Sequence, residues 1–211
     1  MSPRPYRLGQ RQAAAEQTRT RIIAAARELL MAGDGFSGFS IEAVARQADV
    51  ARMTVYYQFG SKVGLLEALC DSLAASGGMA QLADAFRRPE PLDALEQYVA
   101  VFAHFWEADR LVTRRLRALA ALDQDFEQVI RARDERRCQG LRVITGRVAG
   151  KYGRPSAEAF DETINVLNTL TSFECFDMLA GPDRSVEEVA PVVCRLARAA
   201  LGLEMHFTGY P

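Results

Sequence analysis

Apolar residues recur at helical spacing along most of this chain, and one short stretch of that pattern is especially informative. Between residues 40 and 48 the apolar positions lie three and four residues apart, which predicts a short amphipathic helix. The Ser40 hydroxyl can cap its first turn, where the helix dipole also favours the charge of Glu42. Asp49 tolerates left-handed backbone and predicts a turn, after which a second short helix is predicted at 51–57. Two short helices joined by a tight turn form a helix-turn-helix, whose second helix is suited to the major groove of DNA.

The other apolar stripes predict that the protein is all-α. No segment shows convincing period-two alternation, and the chain contains no internal repeat. Gly, Pro and capping residues bound the helical stretches. The predicted helices span residues 18–31, 61–75, 92–107, 109–122, 123–152, 155–179 and 190–202, with a weak helix or loop at 79–90. Glycines within 123–152 are expected to weaken that helix.

The second helix of the helix-turn-helix carries a surface that suits a polyanion. Val50 and Val55 are its apolar positions and are expected to hold it against the first helix. The remaining surface has one full charge, two phenol rings and no carboxylate. Ser61 is placed to cap the next helix, whose free amides could grip a phosphate together with Lys62. We expect phosphate contacts from Tyr56 and Lys62, helped by Ser40 and Thr54, and base contacts from Arg52, Tyr57 and Met53.

Residues 54–62, T-V-Y-Y-Q-F-G-S-K, resemble the signature of the TetR (tetracycline repressor) family of bacterial regulators. That signature runs threonine, apolar, tyrosine, two variable positions, phenylalanine, one residue, serine, lysine. The I-x-x-V-A-x-x-A pattern of residues 41–48 and the preceding apolar stripe also fit, so the similarity covers residues 18–70. Two positions depart from the family: Asp49 stands where glycine is usual, and Met53 where glycine is frequent.

The resemblance implies how the chain is divided. Residues 1–17, with three arginines among Pro, Gly and Gln, are expected to form a flexible basic arm. A helix-turn-helix DNA-binding domain at 18–62 and a connecting helix at 63–78 follow. Residues 79–211 are implied to form a helical effector-binding and dimerisation domain. The family likeness further implies a cytoplasmic homodimeric repressor, which a small-molecule effector releases from a near-palindromic operator in double-stranded DNA.

Within 79–211, candidate effector contacts are rings and polar groups that share the same helical stretches. They are Phe102, Phe105, Trp106, Phe126, Asn168, Phe173 and Phe176. Aromatic residues at helical spacing serve equally well as ordinary core, so either role stays open for each of them. The last two long helices are the candidates for the dimer interface, because both have broad apolar stripes.

Composition narrows the function classes. Residues 1–62 hold nine Lys/Arg against five Asp/Glu and the remainder 17 against 22, so a basic part precedes an acidic one. With two histidines and no H-E-x-x-H, G-x-S-x-G or Walker motif, we expect no enzyme, metal or cofactor. No apolar run is long enough for a membrane span, and the four scattered cysteines suit reduced cytosolic thiols. Two alternatives remain: a helical protein-interaction adaptor, and a thiol-based redox-sensing regulator that uses Cys175.

Overall fold

A computed structural model describes residues 4–32, 38–153 and 156–203, and within those ranges the protein is all-α, as predicted. Short 3-10 turns at Met79–Gln81 and Glu187–Val189 accompany the helices. The α-helices are α1 (Arg4–Met31), α2 (Ile41–Gln47), α3 (Arg52–Phe59), α4 (Lys62–Ser76), α5 (Leu82–Arg87), α6 (Pro91–Ala108), α7 (Arg110–Ala120), α8 (Gln124–Tyr152), α9 (Ala157–Leu170), α10 (Phe173–Ala180) and α11 (Ala190–Ala200). No described helix is long and apolar enough to cross a membrane.

The N-terminal segment differs from the flexible arm expected at 1–17. Helix α1 begins at Arg4 rather than at Thr18, while residues 1–3 lie outside the described part of the chain. Residues 10–17 are exposed, so burial does not hold them in the helix. Their alanines, glutamines and glutamate are strong helix formers, and this propensity continues α1 upstream of its buried stripe.

The helix predicted at 155–179 is two helices. Helix α9 ends at Leu170 and α10 begins at Phe173. The Thr171 hydroxyl donates to the carbonyl of Leu167 at 2.9 Å, and the Ser172 hydroxyl accepts from the amide of Cys175 at 3.2 Å. Ser172 is therefore an N-cap, and this local bond competes with helix continuation. By contrast, α8 runs unbroken through its glycines.

The first of two compact units comprises residues 1–73 and 111–129. Its core is formed by fully buried aliphatic side chains from successive helices, with α2 packed against both α1 and α3. These residues include Ile22, Leu30, Val44, Val55, Leu65 and Leu69. Val55 thus holds α3 in place as predicted, and the opposite surface of α3 stays available.

Two arginines fasten helix ends in this first unit. Arg19 donates to the carbonyl of Gln58 at 3.1 Å and lies 4.5 Å from the centre of the Phe59 ring, which ties α1 to the last turn of α3. Arg115 of α7 donates to the carbonyls of Leu30 and Ala32, where α1 ends. Carbonyls in the last turn of a helix have no helical partner, so Arg115 satisfies two of them.

The second unit comprises residues 74–110 and 130–211. Helix α6 packs against α5, α10 and α11, and α9 packs against α10 and α11. The buried Tyr98 hydroxyl donates to the carbonyl of Arg137 at 2.6 Å, which joins α6 to α8. Arg110 pairs with Asp177 at 2.6 Å and donates to the carbonyl of Gly181, closing the end of α10. The hydrophobic core of this unit is therefore accompanied by one buried and one partly buried polar contact that join its helices.

Candidate functional site

The turn between α2 and α3 forms as its residues predict. The Ser40 hydroxyl accepts from the amide of Ala43 at 3.1 Å, which confirms Ser40 as the N-cap of α2. Asp49 has a φ of 52°, in the left-handed region that favours glycine. The departure from the family glycine at this position is thus accommodated, since Asp reaches this region more readily than most residues.

Helix α3 exposes the side chains expected to meet bases. Tyr57 is 89% exposed and Met53 is 71% exposed, although both are large and apolar over most of their surface. They lie one turn apart on the same face, while Val55 is fully buried. Thr54 and Tyr56 are half-buried at the flanks of that face. Such exposed large side chains on a firmly packed helix are typical of an interaction surface.

Arg52 is held by a carboxylate that reading α3 alone does not reveal. Its Nε lies 2.9 Å from Glu42 Oε1 of α2, and its Nη2 donates to the Tyr56 hydroxyl at 3.2 Å. The Tyr56 hydroxyl, followed by the charge of Glu42, raises the pKa of Arg52, which therefore stays cationic. The α3 face itself carries no carboxylate, as predicted, but its one arginine is neutralised from α2.

The start of α4 also follows its predicted capping. The Ser61 hydroxyl accepts from the amide of Gly64 at 3.0 Å. Lys62 is half-buried, and its ammonium lies 5.8 Å from the centre of the Phe39 ring. The seven candidate DNA contacts, from Ser40 to Lys62, therefore all lie within the first unit on α2, α3, the start of α4 and the turns between them.

Most of the candidate effector contacts come together in the second unit. An aromatic cluster, defined as Tyr98, Phe102, Phe105, Trp106 and Phe173, has neighbouring ring centres 4.6–6.5 Å apart. Phe176 lies in the same buried core. Phe126 does not join it: this fully buried ring belongs to the first unit. Its position along the chain suggested otherwise, because residues 111–129 were expected to belong to the helical body.

A buried arginine borders this cluster, and the sequence does not single it out. Trp106 donates its indole N–H to the carbonyl of Thr171 at 3.2 Å, while Arg137 donates to the Thr171 hydroxyl at 2.8 Å. Arg137 also donates to the backbone carbonyl of Asn168 at 2.5 Å. Candidate residue Asn168 is thus placed beside a cation that is only 6% exposed. Nothing in the charged run around Arg137 identifies it as the one that is buried.

Two of the three thiols of the second unit, Cys175 and Cys194, are poorly suited to redox sensing. Burial raises the pKa of Cys175, and burial followed by the charge of Glu96 raises the pKa of Cys194 to about 11. The thiolate is the reactive form of cysteine, so a raised pKa lowers the fraction of thiolate, and with it the reactivity, of both thiols. This finding weakens the redox-sensing alternative.

Two sequence comparisons match short stretches of this chain to known bacterial regulators. Residues 22–69 match the family model for bacterial regulatory proteins of the tetR family. A stretch of 60 residues is 43% identical to the HTH-type transcriptional regulator SrpR of Pseudomonas putida. That stretch spans 28% of this chain and 28% of SrpR, so the likeness to SrpR covers less than a third of either protein.

Solved structures of two bacterial regulators extend the likeness in fold to most of the chain. NalD of Pseudomonas aeruginosa matches with a TM-score of 0.63 and 19% identity, over 93% of this chain and 100% of NalD. FadR of Bacillus subtilis matches with a TM-score of 0.63 and 16% identity, over 88% of this chain and 99% of FadR. The sequence likeness to the tetR family is therefore carried by residues 22–69, and the likeness over the rest of the chain is one of fold alone. Proteins of this family are DNA-binding transcriptional regulators and are not enzymes.

The family match covers the two candidate sites of this protein unequally. All seven candidate DNA contacts fall inside residues 22–69, whereas all seven candidate effector contacts, from Phe102 to Phe176, fall outside. The structural neighbours reach the second region with under 25% identity and so indicate its fold alone. The chemistry of the helical body must therefore be argued from its own residues.

Proposed function

We propose that this protein is a DNA-binding transcriptional regulator of the TetR family, whose α3 reads the major groove of DNA. The observation that carries the proposal is the surface of α3, where Met53 and Tyr57 stand exposed beside Arg52. Val55 anchors the opposite side of the same helix in the core. A firmly held helix with exposed base-sized side chains is what direct readout requires.

Phosphate contacts would flank this helix. Lys62 stands at the start of α4, where the amides of the first turn have no helical carbonyl partners. A helix start with a nearby ammonium favours a phosphate through the dipole and through direct charge. Tyr56 lies on the other side of the turn, with its hydroxyl already positioned by Arg52. In this proposal Lys62 and Tyr56 fix register, and Arg52 and Tyr57 supply base preference.

A homodimer would place two such helices on one DNA site. Helices α9 and α11 pack against each other, and together with α10 they expose Val166, Leu196 and Met178, the last 83% exposed. Two antiparallel or crossed helix pairs related by a twofold axis form a four-helix bundle that would cover these side chains. The recognition helices would then meet successive major grooves about 34–36 Å apart on a near-palindromic operator.

Effector control would act through the helical body in the cytoplasm. The aromatic cluster offers an apolar wall of the kind that small-molecule sites use. Two structural neighbours support this mode of action. NalD is a repressor of a multidrug efflux pump, and the structure of FadR contains stearoyl-CoA. We therefore propose a repressor whose DNA-competent state is depopulated when an effector binds residues 79–211.

Selection of binding sites from a random duplex library tests the DNA proposal. We expect enrichment of a near-palindrome with half-sites about one helical turn apart. Affinity for the selected site should fall steeply with salt, and Lys62→Ala should reduce the magnitude of that slope by about 1 for every sequence. Arg52→Ala should instead relax base preference. Arg142→Ala, which removes an exposed arginine of α8 in the second unit, is the matched control and should change neither property.

Two results would contradict the proposal. The first is salt-insensitive binding with no enriched sequence, which is what a protein-interaction adaptor predicts. The second is a Lys62→Ala variant with the slope of the parent, which would remove the phosphate assignment. Sedimentation of the free protein and of the complex tests the dimer separately, and a Met178→Glu variant that stays dimeric would exclude α10 from the interface.

A further inference from the structure

Arg137 is a buried cation with an incomplete set of hydrogen bonds. Its Nη1 donates hydrogen bonds to the Asn168 carbonyl and to the Thr171 hydroxyl. Its Nη2 lies 3.3 Å from Asp134 Oδ1. Its Nε is buried and has no acceptor among the described residues. A guanidinium carries five N–H donors in a fixed fork, so this N–H cannot rotate to find another partner.

Asn168, which Arg137 contacts, has an unpaired hydrogen-bond acceptor. Its side-chain Oδ1 is buried and has no donor within the described chain, although its backbone carbonyl accepts from Arg137. Buried polar atoms are almost always paired, so two unpaired atoms on residues that are joined by a hydrogen bond are unusual. One of them lacks an acceptor and the other lacks a donor. A molecule that bonds to both atoms must therefore present an acceptor and a donor.

The charge balance favours a neutral molecule at this position. Asp134 already pairs with Arg137, so the two side chains together carry no net charge. A carboxylate ligand would bring a second negative charge beside Asp134 against one cation, and burial makes such an excess charge costly. A carboxylate also has no N–H or O–H for Asn168 Oδ1. A carboxamide or lactam is neutral and supplies both groups.

The aromatic residues near Arg137 favour a ligand that also carries an apolar group. Thr171 is bonded by both Arg137 and the Trp106 indole, so the guanidinium and the indole are separated by a single residue. The Phe173 ring meets Trp106 edge-on with ring centres 5.7 Å apart. A ring or short chain attached to the amide would therefore lie against aromatic carbon.

We infer that the helical body binds a neutral amphipathic carboxamide or lactam, with its carbonyl on Arg137 Nε and its N–H on Asn168 Oδ1. This inference rests on the proposed effector control and gives that site a ligand class. Arg137 is the donor that orients the carbonyl, and Asn168 excludes acids that lack the N–H. Trp106 and Phe173 provide the apolar wall.

The test compares two molecules of nearly equal shape, cyclohexanecarboxamide and cyclohexanecarboxylate, on the full chain. Trp106 is the only tryptophan in the sequence, so its fluorescence reports on this site, and neither molecule absorbs where indole does. We expect saturable changes with the amide and at least about tenfold weaker binding of the acid. Asn168→Ala keeps the backbone carbonyl that Arg137 uses and should weaken the amide about five- to tenfold. Asn165→Ala, an exposed position on the same helix, is the control and should bind like the parent.

Three outcomes would overturn the inference: no fluorescence change with the amide, equal binding of amide and acid, or equal effects of the Asn168 and Asn165 substitutions. Duplex affinity measured on the same samples separates this test from the DNA proposal. A chain that binds the amide but no DNA would refute the regulator and leave the ligand site standing. A chain that binds DNA but not the amide would refute the ligand site and leave the DNA-binding proposal standing.

Discussion

Replacing Glu42 by Gln tests whether the α2 carboxylate restrains the DNA-reading arginine. In the free protein Glu42 Oε1 lies 2.9 Å from Arg52 Nε, on a face that we expect to meet phosphates and bases. In the proposed complex, Glu42 competes with phosphates and bases for the Arg52 guanidinium. Glu42→Gln removes the competing charge and keeps the shape of the side chain, so it should strengthen binding to any duplex.

The expected gain is a few-fold, because both side chains are more than half exposed. Exposed pairs are weak and are screened by salt, so we expect affinity to rise about two- to fivefold in low salt. Screening lengths shorten from about 10 Å at 0.1 M to about 3 Å at 1 M salt, so the gain should shrink as salt increases. Thermal stability should fall slightly, because Glu42 also favours the first turn of α2.

The assay is duplex affinity against salt for four proteins: the parent, Glu42→Gln, Arg52→Ala and the double variant. If Glu42 acts by restraining Arg52, its substitution should have no effect once Arg52 is alanine, and the cycle should show coupling. An equal gain in both backgrounds would refute this reasoning, since Glu42 would then act only by repelling phosphates. Weaker binding by Glu42→Gln would show that the pair positions Arg52 productively.

Three further predictions concern the folded state. A Cβ at Gly140 would lie 2.7 Å from the Tyr98 hydroxyl, so Gly140→Ala should lower the free energy of unfolding by about 1–3 kcal/mol in chemical denaturation. Gly146→Ala in the same helix, with no atom within 4 Å, should raise it by about 0.5–1 kcal/mol. Asp49→Val should destabilise by about 1–2 kcal/mol because a β-branched residue resists left-handed backbone, whereas Asp49→Gly should not. Cys194, with a pKa raised to about 11, should resist alkylation by iodoacetamide at pH 7. Its contribution to the free energy of unfolding should be complete below the ordinary thiol pKa and should be lost as the pH rises toward 11.

The DNA-reading part of the fold was predictable because its decisive contacts are local. Ser40 and Ser61 each cap a helix through an amide three residues later, and Asp49 supplies the left-handed turn from its own backbone. Such contacts depend on residue type and short spacing, which a sequence displays directly. The pair between Glu42 and Arg52 was missed because it crosses the turn and depends on the angle between two helices.

Two wrong predictions in the rest of the chain also arise from contacts between residues distant in sequence. A continuous apolar stripe suggested one helix at 155–179, but hydroxyl bonds at Thr171 and Ser172 divide it. Phe126 belongs to the first unit, although its position along the chain suggested the second. In both cases periodicity correctly reported helix and burial. It did not report where a helix ends or which core a buried ring joins, because those depend on partners distant in sequence.

Arg137 shows why the proposed effector site is harder to predict from the sequence than the proposed DNA-binding surface. It lies in the run R-A-R-D-E-R-R of residues 131–137, where charged residues are nearly uniform and only one arginine is buried. The bonds that bury it reach Asn168 and Thr171, 31 and 34 residues later, and the indole that shares Thr171 is 65 residues away from it in sequence. A ligand site assembled over such distances can change its specificity through one substitution, such as Asn168→Ala, without touching any residue of α2 or α3. Regulators that share a DNA-binding signature are therefore free to differ in effector, and the match at residues 22–69 constrains the operator-reading surface far more than the ligand.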